Sequence, residues 1–260
     1  MTKLIVFDKD GVILDLEATW LPVARAVAYY TASRIPDDSG RQIGGRELLA
    51  AIGVDEDLGV IDSRGIFAAG SFADIRECWQ ALLPANMMRL DEDEGYANDV
   101  RVLVDRHGRK NTVPKGDVET PLRELYERGY ALALLTNDSE ASARQSLGDL
   151  NLHDLFCAVV GADSGYGAKP GADGFLYCCQ QAGVTPAESM MVGDTMADYG
   201  AAQAACAGSF VAVANTYDER PHFDIEATNV IPTLGHLPQL MARRAALVML
   251  DRKSTRLNSS

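Results

Sequence analysis

No apolar run in this sequence approaches the roughly 18 uninterrupted residues of a membrane-spanning helix, and no basic stretch followed by an apolar one opens the chain. A cytoplasmic protein with no membrane partner is the expectation. Cysteine is scarce and odd in number: Cys78, Cys157, Cys178, Cys179 and Cys206 show no metal-ligand spacing, so reduced, structural thiols are expected rather than a disulfide framework. The histidines, His107, His153, His222 and His236, form no H-x3-H pair, which argues against zinc. Basic residues are also in deficit, 24 against 37 acidic, for a net charge of −13. With no basic patch to offset that charge, nucleic acid and anionic membrane are poor partners. A phosphorylated metabolite remains compatible, provided a metal and a few local cations handle its charge. No internal repeat is visible.

What is present begins at the N-terminus. Leu4 to Phe7 are all apolar and partly β-branched, the pattern of a strand buried on both faces of a parallel sheet. The run stops at Asp8; Asp10 and Gly11 follow, and glycine permits a sharp turn. Two carboxylates therefore sit where a strand ends, the edge at which open α/β sheets hold ligands. Asp8 is a candidate nucleophile or metal ligand and Asp10 a candidate proton donor and acceptor. Taken alone, the same D-x-D-G fits a solvated turn equally well.

The rest of the chain divides by pattern. Residues 17–33 are apolar at helical intervals, with Asp15 placed to cap the start, and 46–52 and 72–83 read as further helices. The charge run 91–94 reads as a solvated loop or helix start. Nothing from 16 to 113 looks like a row of buried strands. After Pro114 the pattern alternates: strands at 130–135, 156–160, 189–192, 209–213 and 229–231, and helices at 117–128, 139–147, 172–182, 196–205 and 234–247. Such alternation predicts a parallel sheet with right-handed crossovers. Residues 251–260 are polar and aperiodic and are expected to be a non-native tail outside the fold.

Asp8-Lys9-Asp10-Gly11-Val12 resembles the first motif of the haloacid dehalogenase (HAD) superfamily. Leu134-Leu135-Thr136-Asn137, Ala168-Lys169-Pro170, and Val192-Gly193-Asp194-Thr195-Met196-Ala197-Asp198 resemble its other motifs, in the right order. The resemblance covers residues 2–15 and 115–247 and is looser between them. It implies an α/β fold with a Rossmann-like parallel sheet core (1–15 and 115–250) and an inserted α-helical cap (16–114). It also implies a Mg²⁺ site built from Asp8, Asp194 and the backbone carbonyl of Asp10, with Asp198 acting mainly from behind. Asp198 reads equally well as a helix N-terminal carboxylate facing the dipole.

In this resemblance Asp8 attacks phosphorus, Asp10 protonates the leaving alcohol and then takes a proton from water, and Lys169 offsets the carboxylates and the incoming phosphate. Thr136 and the Asn137 backbone N–H would meet phosphate oxygens. Dehalogenases of the superfamily lack the second aspartate, so Asp10 favours phosphate chemistry. Gly44-Gly45-Arg46 loosely resembles a cap loop that meets substrate, against a plain solvated arginine at a helix start. Lys9 is expected to point away from Asp8 and Asp10, and Trp20 and Trp79 to be core of the insert. A phosphatase of a small phosphomonoester, similar to the phosphoglycolate phosphatase branch, is the leading expectation. A sugar-phosphate mutase resembling β-phosphoglucomutase shares every motif, and a phospho-aspartate signalling module ranks below both. Oligomeric state is not legible.

Overall fold

The computed structural model describes residues 2–35, 43–62, 64–84, 89–108, 112–214 and 229–257; His222 and the last three residues lie outside them. At its centre is a six-stranded sheet in the order β5-β4-β1-β6-β7-β8, every pairing parallel. The strands are β1 (Leu4–Phe7), β4 (Ala131–Leu135), β5 (Phe156–Val160), β6 (Ser189–Gly193), β7 (Ser209–Val213) and β8 (Val230–Ile231). Helices α6 (Glu119–Glu127), α7 (Glu140–Asp149), α8 (Asp173–Ala182), α9 (Met196–Ala204) and α10 (Leu237–Leu257) connect or close them. This is the parallel sheet that the alternating pattern predicts and the α/β, Rossmann-like core that the family resemblance implies.

Strand β1 lies between β4 and β6, and all of its residues are fully buried. The chain adds β4 and β5 on one side of β1, then crosses to add β6, β7 and β8 on the other. Chain order therefore reverses at β1, and the carboxyl ends of β1, β4 and β6 open onto the crevice where such sheets bind ligands. Apolar clusters cover both faces of the sheet. Ile5, Phe7, Leu134 and Val192 belong to one, and Leu4, Val6, Leu135 and Met191 to the other, as strand alternation requires.

Between β1 and α6 the chain builds α1 (Leu16–Ser33), α2 (Gly45–Ala51), α3 (Ile66–Ala69), α4 (Phe72–Leu82) and α5 (Glu94–Gly108). Asp15 caps α1 by accepting the Ala18 N–H at 2.8 Å. Two two-residue strands, β2 (Val54–Asp55) and β3 (Val60–Ile61), pair antiparallel. These elements share a third apolar cluster, including Val23, Val27, Leu48, Trp79 and Val100, drawn from this insert alone.

One local expectation changes. Helix α10 runs on through Leu257 rather than stopping at 247, because no glycine or proline interrupts 248–257 and Met, Leu, Arg and Lys favour helix.

Candidate active site

Three strand ends and one loop deliver the charged groups. Asp8 follows β1, its N–H donating to the Val192 carbonyl of the neighbouring strand at 2.9 Å. Thr136 and Asn137 follow β4, and Asp194 follows β6. Lys169 arrives on the loop between β5 and α8, which Asn137 clamps: its Oδ1 accepts the Lys169 N–H at 2.7 Å and its Nδ2 donates to the Lys169 carbonyl at 3.1 Å. Asn137 thus holds the lysine loop through its side chain, whereas the sequence pointed to its backbone N–H.

Lys169 is 6% exposed, and its Nζ donates to Asp8 Oδ1 at 2.5 Å and Asp198 Oδ1 at 2.6 Å. Asp198 is fully buried and heavily engaged. Its Oδ2 accepts the Asp194 N–H, the Thr195 N–H and the Thr195 hydroxyl at 3.2, 3.0 and 2.7 Å. Thr195 in turn caps α9, so Asp198 is at once a helix cap and the anchor of Lys169.

Ligand oxygens of Asp8, Asp194 and Asp198 lie within 4.8 Å of one another. Asp194 Oδ1 is buried without a hydrogen-bond partner, a costly state for a carboxylate oxygen. Gly11, at φ +79°, permits this crowding: a Cβ there would lie 1.9 Å from Asp194 Oδ2. Burial, then the Asp198 charge, pushes Asp8 up to about 7 against the pull of Lys169. Burial, then the charges of Asp8 and Asp198, holds Asp194 well above the usual carboxylate range. An all-oxygen donor set, an orphaned acceptor and mutually repelling carboxylates fit a small hard cation such as Mg²⁺. Because the Asp198 oxygens are already taken, Asp8 and Asp194 are the side chains open to such an ion.

Asp10 stands apart from that cluster. Its Oδ1 accepts the indole N–H of Trp20, from α1, and its Oδ2 lies 3.2 Å from Lys9 Nζ. Burial raises its pKa, with Lys9 opposing. The expected direction of Lys9 is therefore corrected. Strand geometry ends at Phe7, and the chain folds into a tight loop in which Ile13 and Leu14 donate N–H groups to the Lys9 carbonyl. Strand alternation does not carry through that turn. Lys9 is 1% exposed, bonds Asp138 at 2.6 Å and lies 4.9 Å from the centre of the Trp20 ring. Burial alone would lower its pKa, but Asp10 and Asp138 outweigh that and raise it.

Trp20 is likewise corrected from core to site. It lies one turn beyond Leu16 on a helix that begins at the end of the D-x-D-G loop, and that spacing was the available signal. Nothing in the sequence indicated Asp138. Asp8, Asp10, Thr136, Asn137 and Lys169 line one cavity of about 770 Å³ between sheet and insert. Thr136 is buried, its hydroxyl accepting the Asp138 N–H at 3.1 Å. Arg46 is not brought to this cavity. Its guanidinium pairs with Glu56 and Asp57 at 3.3 and 2.7 Å on the outer surface of the insert.

A family model described as haloacid dehalogenase-like hydrolase matches residues 2–205. The chain is 27% identical over 213 residues to a phosphoglycolate phosphatase of Pseudomonas putida, covering 79% of this chain and 67% of that one. It is 28% identical over 216 residues to a phosphoglycolate phosphatase of Aliivibrio fischeri, covering 80% and 82%. Among solved structures, CbbY from Rhodobacter sphaeroides in complex with phosphate superposes with a TM-score of 0.62 at 15% identity, over 91% of this chain and 96% of that one, a likeness of fold.

Proposed function

The chain belongs to the haloacid dehalogenase-like hydrolases, and from that premise we propose that it is a Mg²⁺-dependent phosphatase working through a phosphorylated Asp8. The observation that carries this reading is the division of labour between the two carboxylates of one loop. Asp8 sits in the cation-binding cluster beside Lys169, while both oxygens of Asp10 are engaged separately, by Trp20 and Lys9. A nucleophile and a proton carrier need different surroundings.

Asp8 and Asp194 would hold the metal, with the Asp10 carbonyl as the third protein ligand that the family resemblance implies. When bound, Mg²⁺ neutralises charge on the phosphoryl oxygens and on the carboxylates. An Asp8 oxygen forms the new bond to phosphorus as the bond to the ester oxygen breaks. Asp10, whose burial favours the protonated form, gives its proton to the departing alcohol oxygen. It then takes a proton from the water that attacks the same phosphorus, releasing phosphate and restoring Asp8. Lys169 keeps Asp8 oriented and offsets developing negative charge. Thr136 offers a hydroxyl to a phosphoryl oxygen.

Phosphate release from a panel of phosphomonoesters, with and without Mg²⁺, tests the activity. For the pathway, Asp10→Asn incubated with p-nitrophenyl phosphate and Mg²⁺ should gain about 80 Da as trapped phospho-enzyme, because the good leaving group needs little acid while water attack has lost its base. Turnover of Asp10→Asn at the wild-type rate with no mass gain would remove Asp10 from the mechanism. A hexose 1-phosphate converted to its isomer rather than to free sugar would favour the mutase.

A further inference from the structure

Lys9 is a buried cation beside the catalytic carboxylates that cannot reach the substrate with its own atoms. It stands between Asp8 and Asp10 in the chain, yet it is 1% exposed. Unlike Asp8, Asp10 and Asp138, it does not line the cavity. Burying an ammonium group is costly unless its partners are good, and two carboxylates meet this one. Its Nζ lies 2.6 Å from Asp138 Oδ2 and 3.2 Å from Asp10 Oδ2, and the Trp20 ring closes over it at 4.9 Å.

The far end of this bridge is fixed in the core. Asp138 follows β4, and its Oδ1 accepts the Ser139 N–H at 2.6 Å, at the residue whose hydroxyl caps α7. Lys9 carries that fixed position across to Asp10 Oδ2, while Trp20 of the insert donates to Asp10 Oδ1. Two donors from different elements, one on each oxygen, hold the Asp10 carboxyl in one plane and one place. A proton donor works only within hydrogen-bond reach of the departing oxygen, and a misplacement of about 1 Å can cost on the order of a hundredfold. We propose that Lys9 is a positioning residue for the proton-transfer steps: anchored by Asp138, it holds the Asp10 carboxyl at the ester oxygen of the substrate. This inference rests on the phosphatase reading. A bridge that only stabilised the loop would serve every ester alike, whereas one that aims Asp10 matters most where the departing alcohol needs a proton.

Lys9→Met and the double variant Lys9→Met/Asp138→Asn are compared with wild type, with Mg²⁺ and at one pH. The substrates are p-nitrophenyl phosphate and the best alkyl ester of the phosphomonoester panel. In a route through phospho-Asp8, kcat/KM covers the steps up to release of the alcohol, and p-nitrophenolate leaves with little help from an acid. In Lys9→Met the ratio of kcat/KM on the alkyl ester to that on p-nitrophenyl phosphate should fall at least about tenfold. On p-nitrophenyl phosphate kcat should fall more than kcat/KM, because water attack on the phospho-enzyme has lost an aligned base. The double variant also removes the Asp138 charge that Lys9→Met strands, so it should melt higher than Lys9→Met yet keep the lowered ratio. If Lys9→Met does not fold, the double variant carries the kinetic test. A ratio within about twofold of wild type in the double variant, or a double variant no more stable than Lys9→Met, overturns the proposal. Wild-type protein that releases phosphate from no ester would instead overturn the phosphatase reading, and this inference with it.

Discussion

The sheet and the insert solve opposite problems. At the sheet edge, charged groups are buried together and unevenly partnered: Asp198 alone accepts four hydrogen bonds, while Asp194 Oδ1 has no partner. In the insert, apolar side chains pack into one cluster, and charged groups such as Arg46, with Glu56 and Asp57, pair at the surface. Preorganised charge acts on the reacting group, whereas a packed apolar cluster holds the insert together. Trp20 crosses between the two, rooted in α1 of the insert and bonded to Asp10 of the sheet.

Breaking the sheet side should have the largest effect. Asp8→Asn is expected to lower kcat by about four orders of magnitude or more, with a melting temperature unchanged or raised, since burial already holds this carboxyl at about 7. Single-turnover kinetics and calorimetry check both halves. Next, Lys9→Met leaves Asp10 and Asp138 without their shared cation and should cost about 3 kcal/mol or more of stability, read by urea denaturation. An undisturbed midpoint would show that the Lys9 network is solvated in practice.

The two tryptophans sharpen the comparison because both belong to the insert. Trp20→Phe removes the donor to Asp10 and should lower kcat by roughly tenfold with little change in stability. Trp79→Phe removes the 2.8 Å bond to the Leu48 carbonyl inside the insert. It should cost about 1–3 kcal/mol of stability and leave kcat on a small ester unchanged. If the two variants behaved alike, the seam and the interior of the insert would not be separable in function.

The smallest effects lie on the surface. Arg46→Ala should leave kcat/KM unchanged on every ester, because its guanidinium faces its own acidic neighbours; a selective rise in KM for the best substrate would restore it to the site. Glu188 is held down at about 2 by its hydrogen bond with Lys3 and its bonds to Thr185. A lowered carboxylate pKa stabilises the fold above the unfolded value of 4.5 and loses that contribution as pH falls toward 2. Glu188→Gln should therefore melt slightly lower than wild type near neutral pH, and the difference should vanish as the pH approaches 2.

Short-range chemistry was legible in the sequence. Buried strands read as uninterrupted apolar runs, so β1, β5 and β7 fall where the pattern placed them. Four motifs in order, resembling those of the haloacid dehalogenase superfamily, nominated Asp8, Asp10, Thr136, Asn137, Lys169, Asp194 and Asp198. These depend on residue type and local period, which a linear string preserves. Partnership across the fold was decided elsewhere. Lys9 was misdirected because a tight turn cancels strand alternation one residue past β1. Asp138 gave no signal because its partner lies 129 positions away. Trp20 looks like any apolar helix residue until α1 is seen to start at the carboxylate loop. Whether the insert's apolar stripes close against each other or enclose a chamber depends on how helices α1, α3, α4 and α5 are spaced in three dimensions, and periodicity is the same in either case.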